Sequence, residues 1–290
     1  MKQPIELRRL RDFGQIINDT FTFLKENFKQ LFIFVLIICG FFIILGTIST
    51  VFTLNNAGHS YTSDNYEERS RALIYLISVL TNLFILILAH LCIFLVTLCY
   101  VSLYIQKNNS AATLPEVWGY FRYYFFRAFG SGLVITILSA LGFLFCLIPG
   151  IYLMPIFYLI IPIIVIENAS FRYAFNKSFR LIKDNWWVVF GVIFIMGIIG
   201  LMSGLFVNIS LEFVQAGGKL FPLKRFAFPL TIFFSALKNI LMLVNILPAI
   251  AISLCYFSLS EEKDGTGLLD RINQMGKNDN DHQVLPAEEY

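Results

Sequence analysis

FGSGLVITILSALGFLFCLIPGIYLMPIFYLIIPIIVI, residues 129–166, decides the fold. The stretch carries no charged residue, and as one helix it would run about 57 Å, against about 30 Å for the hydrocarbon core of a bilayer. Pro149-Gly150 interrupts it. Proline removes a backbone donor and glycine frees the backbone, so the segment reads as two antiparallel spans, 129–148 and 151–166, joined by a structural turn at Pro149 and Gly150. The rival is one kinked helix, far too long for the membrane.

Outward from this hairpin, further apolar runs cover residues 31–52, 72–105, 188–209 and 231–257. Six spans place 16 basic residues on one side and 5 on the other, with Lys238 inside the sixth; a five-span count gives only 12 against 9. Basic residues collect on the cytoplasmic side of membrane proteins, so six spans with both termini cytoplasmic are expected, in the inner membrane of a bacterium. The chain then divides into an N-terminal segment with an interfacial helix (1–30), the six-span domain (31–257) and a cytoplasmic tail (258–290), disordered after about 276. The fold class expected is all-α integral membrane, with three hairpins each preceded by an amphipathic interfacial helix.

Composition agrees. The chain is 57% hydrophobic and 16% aromatic with only 14% charged residues. That excludes a soluble enzyme, a nucleic-acid binder and a secreted disulfide scaffold. All five cysteines (Cys39, Cys92, Cys99, Cys146, Cys255) lie in apolar runs and none has a metal-binding spacing, so they read as small buried hydrophobes. The opening MKQPIELRRLRDFG lacks the ordered parts of a signal peptide, and the first span is expected to stay in the mature chain.

Amphipathic stretches precede the hairpins. In residues 11–31 the apolar positions Phe13, Ile16, Ile17, Phe21, Leu24, Phe28 and Leu31 recur at three- and four-residue steps, with Asp12, Asn18, Asp19, Lys25 and Lys29 between them. Shifted by 158 residues, FTFLKENFKQLF falls on FRLIKDNWWVVF, aligning Lys25 with Lys183, Asn27 with Asn185 and Phe28 with Trp186. A third stretch from Leu114 has the spacing with little identity. The shared pattern suits an interfacial helix turning into a span: lysine reaches headgroup phosphate, the aromatic sits at the boundary, and asparagine caps the new helix. Lys25, Asn27, Phe28, Lys183, Asn185, Trp186 and Trp187 are therefore the candidate lipid contacts, as generic anchors or as a headgroup site.

The stretch IPGIYLMPIFYLIIPIIVIENASFRYAFNKSFRLIKDNWW, residues 148–187, resembles the membrane domain of glycerophosphoryl diester phosphodiesterases and related bacterial six-span proteins. In that family a Pro-Gly turn opens a span ending in Pro, aliphatics and Glu, followed by an amphipathic helix with Ala and Ser and an aromatic-started span. Pro149, Gly150, Pro162, Glu167, Ala174, Ser178 and Trp186 occupy those positions here. DFGQIINDTFTFLKENF and CYFSLSEEKDGTGLLDRI are similar to the family's ends, so the resemblance covers roughly residues 10–275. The named activity resides in a separate barrel with a His-Arg-Gly motif. None of His59, His90 and His282 is followed by Arg-Gly, so the resemblance implies a membrane module without that activity.

Polar groups inside spans are costly and mark candidate sites. His90 lies near the middle of the 72–105 run, shares a face with Thr97, and has Asn82 about 80° away. These three form a candidate intramembrane site; packing between helices is the plainer reading. Lys238 and Asn239 read as an anchor in the sixth span, Asn208 and Asn245 as hydrogen-bonding glue, and Glu167 as a cap or partner of a basic neighbour. Gly200 and Gly204 form a G-x-x-x-G, for packing within the bundle or for a homodimer. Pro155, Pro162 and Pro248 imply kinks. No hydrolase, metalloprotease or phosphate-loop motif occurs, and no cofactor is expected. The function expected is non-enzymatic: organising lipid or partner proteins at the cytoplasmic face, with a transporter or channel as the alternative.

Overall fold

The computed structural model describes residues 6–57, 66–107, 110–145, 147–220 and 224–265. They form α1 (Phe13–Asn55), α2 (Tyr66–Gln106), α3 (Leu114–Phe145), α4 (Leu147–Ile166), α5 (Phe171–Ile182), α6 (Trp186–Leu220), α7 (Lys224–Leu241) and α8 (Ile246–Asp264). There is no strand among the described residues. Among the described residues six segments are long and apolar enough to cross a membrane, the sixth running from Phe228 through α7 and α8. The protein is an all-α, multi-pass membrane protein. Cys146, His59, His282 and the tail expected to be disordered lie outside the described residues.

Two helices form the centre. Cys92–Tyr104 of α2 and Ala249–Ser260 of α8 are buried on every side, as a helix apolar all round must be if it does not face lipid. Around them pack α1, α4 and α6, while the outward faces of α1, α3 and α6 expose large apolar side chains such as Phe41, Leu133 and Phe206 to the bilayer. Between α7 and α8 the helix tightens to a 3₁₀ turn at Met242–Asn245. Pro248 is the cause: it cannot donate to the carbonyl four residues back, and its ring crowds that carbonyl. Pro155 and Pro162, by contrast, sit within α4, which continues through both.

The turn of the decisive hairpin lies earlier than the sequence places it. Pro149 and Gly150 are inside the first turn of α4, not in a loop. A proline there loses no hydrogen bond, because the first amides of a helix have no partner in it. Gly150 serves contact: a Cβ on it would lie 2.7 Å from the Phe143 ring, and a Cβ on Gly142 would lie 3.5 Å from the Gly150 Cα.

The amphipathic stretches also differ from one another. Residues 13–30 and the stretch from Leu114 are the beginnings of α1 and α3, continuous with their spans, while α5 alone is a separate helix. Asp12 starts α1 with a capping box, accepting from the Gln15 amide while the Gln15 side chain accepts from its own. Along α1 the buried stripe is Ile16, Asp19, Thr20, Phe23, Asn27 and Leu31, and Phe13, Phe21 and Phe28 face outward. Both faces are mixed: Asp19, Thr20 and Asn27 are buried with Ile16, Phe23 and Leu31, while Phe21 and Phe28 are exposed beside Lys25 and Lys29, as suits a helix start at a boundary between water and lipid.

Candidate functional site

A cavity of about 340 Å³ opens between α2, α3 and α4. His90 enters it from α2 among Phe84, Leu91 and Phe94; α3 supplies Gly132, Thr136 and Ser139, and α4 supplies Phe157 and Tyr158. Its lining contains no Asp, Glu, Lys or Arg. Thr136 donates to the Gly132 carbonyl at 2.8 Å. His90, Ser139 and Tyr158 have no hydrogen-bond partner among the described residues, so three unpartnered polar groups face a space whose remaining lining, Thr136 apart, is apolar.

The structure separates the three candidate residues on α2. Asn82 donates to Thr50 Oγ1 on α1 at 3.1 Å, away from the cavity. Thr97 is fully buried, donates to the Ile93 carbonyl at 2.8 Å and does not line the cavity. His90 alone remains. Ser139 and Tyr158 escape a reading of α2 alone; the signal was the Gly132, Thr136, Ser139 stripe, small residues at helical spacing on α3.

A second polar seam joins α1 and α7. Asn239, fully buried, donates to the Ser235 carbonyl at 2.8 Å, and its Oδ1 rests against Gly46. Among the described residues that oxygen and Ser235 Oγ have no hydrogen-bond partner. Asn245 donates to the Met242 carbonyl and Asn208 is exposed, so neither bridges helices.

The boundary residues fall into two groups. Lys25 and Lys183 are exposed, as are Phe28 and, at 77%, Trp187. Trp186 is held instead: its indole donates to the Tyr152 carbonyl at 3.0 Å and stacks on Tyr152 and Phe190. Only Asn185 stands at a helix start, immediately before α6, where its carbonyl accepts from the Val189 amide at 3.2 Å. Asn27 lies within α1, donating to the Phe23 carbonyl and accepting from Tyr100 Oη at 2.7 Å, whereas Asn185 donates to Glu262 at 2.7 Å. Gly200 and Gly204 have open space above them and are not packed within the bundle.

Ion pairs gather where the N-terminus, α5 and the end of α8 meet. Lys177 lies 2.6 Å from Glu167 and 3.1 Å from Asp264; Arg180 reaches Asp264 at 3.0 Å; Lys263 pairs with Asp184, and Tyr256 donates to Glu167. Burial opposes the charge on Lys177, yet the two carboxylates prevail and raise its pKa above the ordinary 10.5. The hydrogen bond from Lys263 lowers the pKa of Asp184 below 3.8. Arg11, its side chain fully buried, pairs with Asp19 at 2.8 Å, and its backbone exchanges hydrogen bonds with the Ser258 hydroxyl. Arg127 donates to Asn168 Oδ1 at 2.6 Å and the Ala169 carbonyl at 2.7 Å, holding Asn168 at a φ of 52°.

Among the described residues no three His, Cys, Asp or Glu side chains gather as metal ligands. Compared with protein-family models, curated proteins and solved structures, the chain matches none.

Proposed function

We propose that this is a non-enzymatic, lipid-organising protein of a bacterial inner membrane, with both termini cytoplasmic, that takes a lipid chain into the cavity between α2, α3 and α4. The observation carrying the proposal is that cavity: an apolar space within the spans, large enough for much of an acyl chain, bounded by helices whose outer faces already meet lipid. Exposed Lys25, Phe28, Lys183 and Trp187 support it, since such residues hold a protein at the headgroup boundary. The resemblance of residues 148–187 to the membrane domain of glycerophosphoryl diester phosphodiesterases points the same way. A transport path through Asn82, His90 and Thr97 would need them to converge, and they do not.

The test is mass spectrometry of lipids retained by the full chain in native membrane discs, compared with bulk membrane. Selective enrichment is expected, and Gly132→Trp, which fills the cavity, should abolish it. Bulk-like lipid around the unaltered protein would refute the proposal.

A further inference from the structure

The cavity's chemistry is narrower than a slot for hydrocarbon. A saturated chain would leave His90, Ser139 and Tyr158 without partners in an apolar enclosure, which costs free energy for each group. A lipid with a hydroxyl or ester carbonyl would satisfy them: Ser and Tyr hydroxyls donate and accept, and a neutral imidazole does both through its two nitrogens.

Charge restricts the headgroup. His90 is 18 residues from Ala72 and 15 from Ile105, the ends of its apolar run, or about 27 and 22 Å along the helix. His90 therefore lies near mid-depth of a hydrocarbon core about 30 Å thick, about 15 Å from either surface; a phosphate there needs a cation beside it, and no lysine or arginine lines the cavity. Arg127, two residues before the lining Phe129, is itself outside the lining and donates to Asn168 and Ala169. On α3 the lining runs from Phe129 to Ser139, about 15 Å, which accommodates a small headgroup and the first part of one chain, the rest lying in the bilayer.

We infer that the cavity selects a lipid with an uncharged, hydrogen-bonding headgroup, of the diacylglycerol class, held by His90, Tyr158 and Ser139. This rests on the lipid-binding reading above. Phospholipid enters poorly because its phosphate finds no counter-charge.

The full chain in lipid discs is offered photoactivatable diacylglycerol or phosphatidylglycerol bearing identical diazirine chains, and labelled peptides are mapped. Diacylglycerol should label α2, α3 and α4 about tenfold more than the phospholipid, roughly what one net hydrogen bond is worth. In His90→Leu/Tyr158→Phe the ratio should fall toward one. Ser139→Ala, which removes one hydroxyl and adds no bulk, should lower it in part. A ratio near one, or phospholipid preference, in the unaltered protein overturns the headgroup inference and leaves the lipid-binding reading standing. A ratio unchanged in both variants overturns it too, and absence of labelling on these helices overturns both readings.

Discussion

The amide oxygen of Asn239 occupies the space where a side chain on Gly46 would begin: a Cβ there would lie 2.5 Å from it. Asn239 is fully buried and cannot swing away. Gly46→Ala should therefore force α1 and α7 apart, at a cost of about 1–3 kcal/mol, read as a lower unfolding midpoint in detergent. Asn239→Ala in the same chain should restore much of the loss, because the two residues share one space. Additive losses would refute the contact.

Asp19 balances a guanidinium with no access to water. Arg11 also donates to the carbonyls of Leu7 and, at its other nitrogen, Glu6, but those are dipoles and not charges. Asp19→Ala should cost about 3–5 kcal/mol, the loss expected when one member of a buried pair is removed. Arg9 pairs with the same carboxylate from a 44% exposed position, and Arg9→Ala should cost less than about 1 kcal/mol. Denaturation of the two variants measures the difference.

The clamp between α5 and α8 has a pH window. Lys177 has a raised pKa in the folded protein, so its contribution is full below 10.5 and is lost as pH rises through the folded value. Asp184 has a lowered pKa, so its contribution is full above 3.8 and is lost as pH falls through the folded value. Spin labels at Arg172 and Glu261 should hold one narrow distance between these limits and broaden outside them. Lys177→Met should broaden it at neutral pH.

Cys39, Cys92, Cys99 and Cys255 are all fully buried. In a Cys146→Ser chain, a membrane-permeant maleimide should leave all four unmodified until the protein unfolds. Rapid labelling of the native chain would show that the central helices part in solution.

The six spans were legible because an apolar run of membrane length has few other uses. The hairpin turn was misplaced because proline suits the first turn of a helix as well as a loop. Asn27 and Asn185 align in sequence yet occupy different settings, decided by Tyr100 and Glu262, partners far along the chain. The neighbouring residue contributes: Glu26 continues a helix readily, while Asp184 and Asn185 favour the turn that separates α5 from α6. Asp19 looked like part of a water-facing side because its spacing carries no information about which solvent each face meets. The cavity was illegible, since it exists only where three helices leave space among themselves; of its polar groups His90 alone stood out.

Because Ala249–Ser260 of α8 is surrounded on every side and α8 is also the last helix described, one of the two central helices is missing until ribosomal synthesis of the described helices is nearly over. Earlier helices must wait in the bilayer as a partial ring. A chain cut short before Ile246 would insert into the membrane yet leave Cys92–Tyr104 of α2 without its neighbour, so premature termination should yield inserted but degradable protein.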